Sequence, residues 1–166
     1  MSRTLILMRH AKSAWSDPLA SDHDRILNER GRRSAPVMGQ WLKDQNLIPD
    51  QVLVSSAART METLARLGLP EVETTVLPEL YLAHPAVIAA LIREYATGSR
   101  VLVLGHNPGT TEAAHRLVNA PVAHPAFHDF PTCATLAARF DGPSWDVLDW
   151  QSLTPIAFAI PRELIA

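Results

Sequence analysis

Short apolar runs alternate with helix-like stretches along this chain of 166 residues. Residues 4–8 (TLILM) and 100–104 (RVLVL) are nearly continuous apolar runs, too short for helices and typical of strands buried on both faces of a sheet. Residues 51–54 predict a second strand, and residues 74–77 a short third strand. We therefore expect four strands separated by helices.

The intervening stretches have the spacing of apolar residues that is expected for helices: residues 29–44, 57–67, 85–95 and 109–118. Asn28 suits the capping position of the first helix, and Pro36 inside that helix predicts a break or a kink. The second helix is expected to turn Met61, Leu64 and Ala65 toward the core.

The end of the chain is patterned differently. Residues 120–131 are rich in proline and predict a loop, whereas residues 133–140 and 145–150 predict two strands joined by a turn at residues 141–143. The alternation predicts an α/β fold: a three-layer sandwich whose mostly parallel central sheet is flanked by helices, with a late antiparallel hairpin at its edge. No repeat or linker divides residues 1–166, so we expect a single domain.

Composition narrows the classes of protein. Hydrophobic residues make up 47% and charged residues 19%, as in ordered globular proteins, and the formal net charge is -2. This charge gives no reason to expect nucleic acid or an acidic membrane as a partner, so an anion site would have to be a local cluster. The single cysteine, Cys133, cannot form an intrachain disulfide, and no export signal or membrane-spanning run is evident. We expect a cytoplasmic protein.

Polar residues follow each of the four predicted strands. They are Arg9 and His10, then Ser55, Ser56 and Arg59, then Glu79, and finally His106 and Asn107. Ligands of open α/β sheets bind outside the carboxyl ends of the strands, so these side chains are expected to converge on one crevice. A guanidinium group can donate two parallel hydrogen bonds to two oxygens of a phosphate, and neutral imidazole is a competent nucleophile. The cluster therefore indicates phosphate chemistry.

Each residue alone has a commoner explanation. Arg59 could pair with Glu62 on its own helix, residues 106–109 could form an ordinary turn, and Glu79 could be a solvated carboxylate. The four groups nevertheless occur in order after successive strands, which favours a common site. The phosphate-binding pattern of nucleoside triphosphatases, G-x-x-x-x-G-K-[ST], does not occur in the sequence.

Several of these segments resemble the motifs of a known family. Residues 7–13 (LMRHAKS), 55–63 (SSAARTMET) and 105–109 (GHNPG) resemble the motifs of the histidine phosphatase superfamily, which includes phosphoglycerate mutases. The small size, residues 9–15 (RHAKSAW) and residues 27–31 (LNERG) look most like its SixA-type phosphohistidine phosphatase branch. The resemblance extends from about residue 4 to residue 118.

The resemblance implies roles for individual residues. His10 would be the catalytic nucleophile that becomes phosphorylated, while Arg9, Arg59 and His106 would bind the phosphate. Glu79 falls where larger relatives carry a general acid.

Two positions depart from the wider family. Ala11 replaces a glycine that many relatives carry, which the SixA-like branch tolerates. Ser16 stands where mutase relatives have an asparagine that touches phosphate, and its shorter hydroxyl would reach the phosphate through water.

The expected reaction is in-line attack of His10 on phosphorus, followed by hydrolysis of phospho-His10 without a metal ion or cofactor. The expected substrate is phosphohistidine in a signalling or carrier protein. The alternatives are a small phosphorylated metabolite and a catalytically silent module that binds phosphate or a phosphoprotein. A metalloenzyme using His124 and His128 is a further alternative, disfavoured by Pro125 between them.

Overall fold

The computed structural model describes residues 2–165 and confirms the alternation of strands and helices. The strands are β1 (Arg3–Arg9), β2 (Gln51–Ser55), β3 (Glu73–Leu77), β4 (Arg100–Gly105), β5 (Thr135–Phe140) and β6 (Leu153–Ala159). The helices are α1 (Glu29–Asp44), α2 (Ala58–Arg66), α3 (Pro85–Tyr95), α4 (Gly109–Leu117) and the short α5 (Pro161–Leu164).

All of these strands join one sheet in the order β3-β2-β4-β1-β5-β6. β1 to β4 are mutually parallel, β5 runs antiparallel to β1, and β6 runs antiparallel to β5. The predicted α/β class with an antiparallel edge is confirmed. Arg9 at the end of β1 is in register with Gly105 at the end of β4, so the carboxyl ends of the parallel strands lie at one edge of the sheet.

Successive residues of β1 face opposite layers of helices, as the pleat of a strand requires. Leu5 and Leu7 belong to the apolar cluster that also includes buried residues of α3 and α4. Ile6 and Met8 belong to the cluster that contains α1. The sheet is therefore covered on both faces, which explains why its central strands are apolar without alternation.

The first helix forms without interruption from Glu29 to Asp44, so the predicted break at Pro36 is wrong. Proline removes one intrahelical hydrogen bond, but the buried side chains of Ala35 and Met38 hold this part of α1 against the sheet. The expected cap is present, because the side chain of Asn28 accepts a hydrogen bond from the backbone N–H of Gly31 at 2.8 Å.

The second strand of the late hairpin is not where the pattern predicted it. Residues 145–147 form a 3₁₀ turn and residues 148–150 are irregular, and the strand is β6, at Leu153–Ala159. Trp145 fills the core from this turn, where it stacks on Phe140 and donates its indole N–H to the carbonyl of Gly98 at 2.8 Å. Pro155 obscured the true strand, although an edge strand tolerates proline.

The inward face of α2 is largely polar, and of the three apolar residues predicted to face the core only Leu64 packs against it, partly buried. Met61 and Ala65 are exposed, whereas Arg59, Thr60 and Thr63 are buried. The two threonine hydroxyls can be buried because they donate to backbone carbonyls, that of Thr60 to Ser55 at 2.8 Å and that of Thr63 to Arg59 at 2.7 Å. This polar face brings Arg59 to the carboxyl edge of the sheet.

A close approach of α1 to the end of α2 yields a stability prediction. A methyl group on Gly39 would overlap the carbonyl oxygen of Leu67. We expect Gly39→Ala to lower the free energy of unfolding by roughly 1–3 kcal/mol, although alanine ordinarily favours helices. Urea denaturation measures the change. The control is Gln40→Ala at the exposed neighbouring position, expected within about 0.5 kcal/mol of wild type. A Gly39→Ala protein as stable as wild type would contradict the prediction.

Candidate active site

His10 is anchored at the carboxyl edge of the sheet by its backbone. Its N–H donates to the carbonyl of Gly105 at 3.1 Å, and its own carbonyl accepts from the N–H of Cys133 at 2.9 Å. The residue is only 7% exposed. Two neighbouring segments therefore fix the point from which its side chain extends.

The imidazole ring of His10 has a defined proton arrangement. Nδ1 lies 2.7 Å from the carbonyl oxygen of Ala11, which can only accept, so Nδ1 carries the proton. Nε2 accepts a hydrogen bond from Nε of Arg59 at 3.3 Å. The lone pair of Nε2 therefore faces the guanidinium group, as a nucleophile beside an anion-binding residue requires.

Arg59 lies in the first turn of α2 and is 5% exposed. Besides His10, it contacts Asp22 twice: Nη1 donates to the backbone carbonyl at 2.7 Å, and Nη2 donates to Oδ2 at 3.0 Å. The hydroxyl of Tyr81 donates to the same Oδ2 atom. Asp22 thus joins the site from the loop between β1 and α1.

His106, which follows β4, completes the cluster from the centre of the sheet. It is 2% exposed, and its ring centroid lies 5.3 Å from that of His10. Nε2 of His106 lies 2.8 Å from Oγ of Ser55. The ring of Tyr81 packs against the same imidazole at 5.3 Å with a perpendicular orientation.

Two buried nitrogen atoms in this cluster have no hydrogen-bond partner among residues 2–165: Nε of Arg9 and Nδ1 of His106. Arg9 otherwise uses Nη1, which donates to the carbonyl of Phe130 at 3.3 Å. Buried polar groups in proteins are nearly always satisfied. The arrangement fits an oxyanion that accepts from these groups.

Burial and neighbouring cations keep the imidazoles neutral. Burial lowers the pKa of His10 to about 4, and Arg59 and Arg9 act in the same direction against the opposing effect of the Ala11 carbonyl. Burial also lowers the pKa of His106 to about 3, with contributions from His10 and Arg59. The site thus combines two neutral imidazoles with two guanidinium charges near neutral pH.

The sequence of this chain is similar to those of known proteins. The family model described as the histidine phosphatase superfamily (branch 1) matches residues 5–81. An uncharacterised protein of Mycobacterium tuberculosis (strain H37Rv) is 35% identical over 161 residues, covering 93% of this chain and all of that protein. The phosphohistidine phosphatase SixA of Escherichia coli (strain K12) is 32% identical over 111 residues, covering 63% of this chain and 67% of that protein. The chain belongs to the histidine phosphatase superfamily.

The fold leads to the same family. A structure from Nakamurella multipartitia, assigned to the phosphohistidine phosphatase SixA, superimposes with a TM-score of 0.83 at 30% identity and covers 97% of both chains. The resemblance noted in the motifs of this histidine phosphatase therefore extends over almost the whole chain, including β5 and β6.

The structure of this histidine phosphatase brings four of the predicted site residues together and leaves two exposed. Arg9, His10, Arg59 and His106 lie together, as the order of the strands predicted. Glu79 and Ser16 are exposed, and neither takes part in the hydrogen bonds described above for the part of the chain that the structure describes. Their functional roles stay predictions.

Sequence reasoning missed two members of the cluster, Asp22 and Tyr81. Asp22 lies in a polar loop without periodicity, so no pattern distinguished it from its neighbours. Tyr81 comes two residues after Glu79, in the segment that follows β3. Its proximity to a predicted carboxyl-edge residue was the available signal.

The metal alternative finds no support in the geometry of residues 2–165, where no three His, Cys, Asp or Glu side chains are grouped to hold a metal ion. Nε2 of His124 lies 2.7 Å from Oε1 of Glu163, and its Nδ1 accepts from the N–H of Ala126 at 3.0 Å.

Among residues 2–165, no helix has both the length and the apolar character needed to span a membrane.

The lowered pKa values predict the charge state of the site. In a titration followed by NMR of the ring nitrogens, His10 and His106 should stay neutral as the pH falls through 6 and 5, with Nδ1 of His10 protonated. They should gain protons only near pH 4 and pH 3. The His10→Gln and His106→Gln variants assign the signals. A midpoint near pH 6.5 for either ring, the usual imidazole value, would contradict the expected burial effect.

Proposed function

We propose that this protein is a phosphohistidine phosphatase that transfers the phosphoryl group to His10 and then to water. The observation that carries the proposal is the position of Nε2 of His10. Its lone pair meets the guanidinium of Arg59, while the opposite nitrogen, Nδ1, is held by the Ala11 carbonyl. A nucleophile and an oxyanion-binding group are thereby oriented toward the same point.

In the first step, Nε2 of His10 attacks phosphorus in line with the leaving group. A bond between phosphorus and Nε2 of His10 forms, and the bond between phosphorus and the leaving group breaks with its electron pair going to that group. Arg9 and Arg59 hold the phosphoryl oxygens and offset their charge in a site shielded from water. Because the two guanidinium groups supply this charge, this role needs no metal ion.

His106 contributes a neutral hydrogen-bond donor. Oγ of Ser55 accepts from the N–H of Ala57 at 3.3 Å and can direct its own proton to Nε2 of His106. The ring then carries its proton on Nδ1, the atom without a partner among residues 2–165. An N–H at this position can donate to a phosphoryl oxygen without adding a positive charge.

In the second step, water attacks the phosphorus atom and the bond to Nε2 breaks. The phosphorylated ring keeps its proton on Nδ1, because that proton is bonded to the Ala11 carbonyl. The ring therefore leaves as neutral imidazole and needs no further proton. The same protein contact that orients the nucleophile also makes it a good leaving group.

The leaving group supports phosphohistidine as the substrate. An alkoxide needs a well-placed acid to leave, whereas a phosphorylated imidazole departs readily once its ring is protonated. Glu79, the predicted acid, is exposed and outside the hydrogen bonds of the cluster. We expect the substrate to be a histidine-phosphorylated signalling or carrier protein in the cytoplasm, with no metal ion or other cofactor.

His10→Ala should abolish hydrolysis of a histidine-phosphorylated protein, because no other group supplies the attacking nitrogen. The wild-type protein, quenched in alkali during turnover, should carry an acid-labile phosphoryl group that the variant lacks. The control is His84→Ala, an exposed histidine outside the cluster, which should retain wild-type turnover. Activity should also persist in a strong chelator. Undiminished hydrolysis by His10→Ala would exclude the covalent route.

Glu79→Gln tests the predicted general acid through the choice of substrate. If Glu79 protonates a leaving oxygen, the variant should lose about 10²-fold or more in kcat on an alkyl phosphomonoester. Hydrolysis of phosphohistidine should change by less than about twofold, since that leaving group needs no such acid. The comparison is made with both substrates under the same conditions, with Glu71→Gln as the exposed control. Equal losses on both substrates would refute the assignment.

A further inference from the structure

The carboxylate of Asp22 is hydrogen-bonded to Arg59, the arginine on which the proposed phosphate binding depends. All three nitrogen atoms of the Arg59 guanidinium group are engaged: Nε with His10, Nη1 with the backbone carbonyl of Asp22, and Nη2 with Oδ2 of Asp22. The side chain of Arg59 is 6% exposed, whereas that of Asp22 is 46% exposed. A half-exposed anion is therefore paired with a buried cation.

A carboxylate and a phosphoryl group are alternative ligands of the same guanidinium. Both present oxygen acceptors in a geometry that matches its N–H groups. In the proposed reaction, Arg59 must donate to the phosphoryl group next to Nε2 of His10. One N–H of Nη2 is already bound to Oδ2 of Asp22, on the side of the guanidinium group that a phosphoryl oxygen would take. Substrate and Asp22 cannot both use that donor fully.

The ionisation of Asp22 suits an anion rather than an acid. The hydrogen bond from Tyr81 lowers the pKa of Asp22, and Arg59 and Arg25 lower it further, although partial burial opposes them. The group is therefore a carboxylate near neutral pH and has no proton to give to a leaving group. This separates Asp22 from the role predicted for Glu79.

Asp22 can release Arg59 without unfolding its loop. The loop backbone is held separately, because the carbonyl of His23 accepts from the N–H of Ala58 at 2.9 Å and Ser13 forms a β-bridge with Leu27. The contact of Nη1 with the backbone carbonyl of Asp22 can also remain in place. Rotation of this half-exposed side chain frees Nη2 and admits a phosphoryl oxygen. The same rotation breaks the contacts of the carboxylate with Tyr81 and with Nη1 of Arg25, which lies 3.2 Å from Oδ1.

We propose that Asp22 is an internal anion that competes with the phosphoryl group for Arg59 and thereby sets the affinity of the site for phosphate. The inference rests on the proposed role of Arg59 in phosphate binding. The incoming phosphoryl group displaces the Asp22 side chain, and the return of that side chain favours the release of orthophosphate. Weakly bound anions face the same competitor and are excluded.

The test is calorimetric titration of the full chain with orthophosphate, and separately with tungstate. Asp22→Asn keeps the size of the side chain and removes its charge, while Asp22→Ala removes the acceptor. Both variants should bind each anion about tenfold more tightly than wild type, since a charged hydrogen bond no longer has to be broken. The inhibition constant of orthophosphate in the phosphatase assay should fall by the same factor.

Matched controls separate competition from general effects of charge and structure. Asp24→Asn removes a carboxylate from the same loop, where Asp24 lies 3.6 Å from His23 and outside the Arg59 contacts, and it should change affinity by less than about twofold. Tyr81→Phe removes the other hydrogen bond to Oδ2 and should tighten binding in the same direction by a smaller factor. Unfolding curves verify that each variant is folded.

Unchanged or weaker anion binding by both Asp22 variants would overturn the inference, because Asp22 would then only hold Arg59 in position. The outcome is independent of the proposed substrate. If the wild-type protein hydrolyses no phosphohistidine, yet both variants bind orthophosphate more tightly, the proposed function fails and the competition stands. If the wild-type protein is active and the variants gain no affinity, only the competition fails.

Discussion

The hydrogen bond from Nδ1 of His10 to the carbonyl of Ala11 determines which nitrogen of the ring carries the proton and which one carries the lone pair. It depends in turn on α2, because the N–H of Ala11 donates to the hydroxyl of Thr63 at 3.0 Å. The same helix carries Arg59 one turn earlier. Nucleophile and oxyanion-binding group are therefore positioned by one rigid element, which reduces the reorganisation required when phosphate binds.

Placing two guanidinium groups beside each other in a buried site has an electrostatic cost. It is visible in Arg9, whose pKa is lowered by burial and by the charge of Arg59. Hydrogen-bond acceptors offset part of this repulsion. Arg9 donates to the backbone carbonyl of Phe130, and Arg59 donates to the backbone carbonyl and the carboxylate of Asp22. A bound dianion would offset more of it. The unfavourable proximity of like charges is thus what makes the site attractive to phosphate.

Sequence patterns predicted the parts of this molecule that depend on repetition. The apolar runs of β1 and β4 are buried on both faces, and the residues that follow parallel strands meet at one edge, so Arg9, His10, Arg59 and His106 could be grouped in advance. Patterns failed where a single tertiary contact decides the outcome. Trp145 is buried although it lies in a turn, so its segment had the apolar pattern of a strand. The buried threonines of α2 donate hydrogen bonds to backbone carbonyls, and these partners cannot be read from the spacing of apolar residues. Asp22 was missed for the same reason, since its importance lies in a partner 37 positions away.

The order of the strands places the candidate site at one rim of the sheet and leaves the opposite rim outside it. β4 lies between β1 and β2, so His106 stands at the middle of the site with His10 on one side and Ser55 on the other. The connections at the opposite rim include residues 67–72 and 96–99, which form no hydrogen bond with these groups within residues 2–165. Exposed side chains at that rim can change without disturbing the reaction, whereas the rim that bears the histidines leaves little freedom for change.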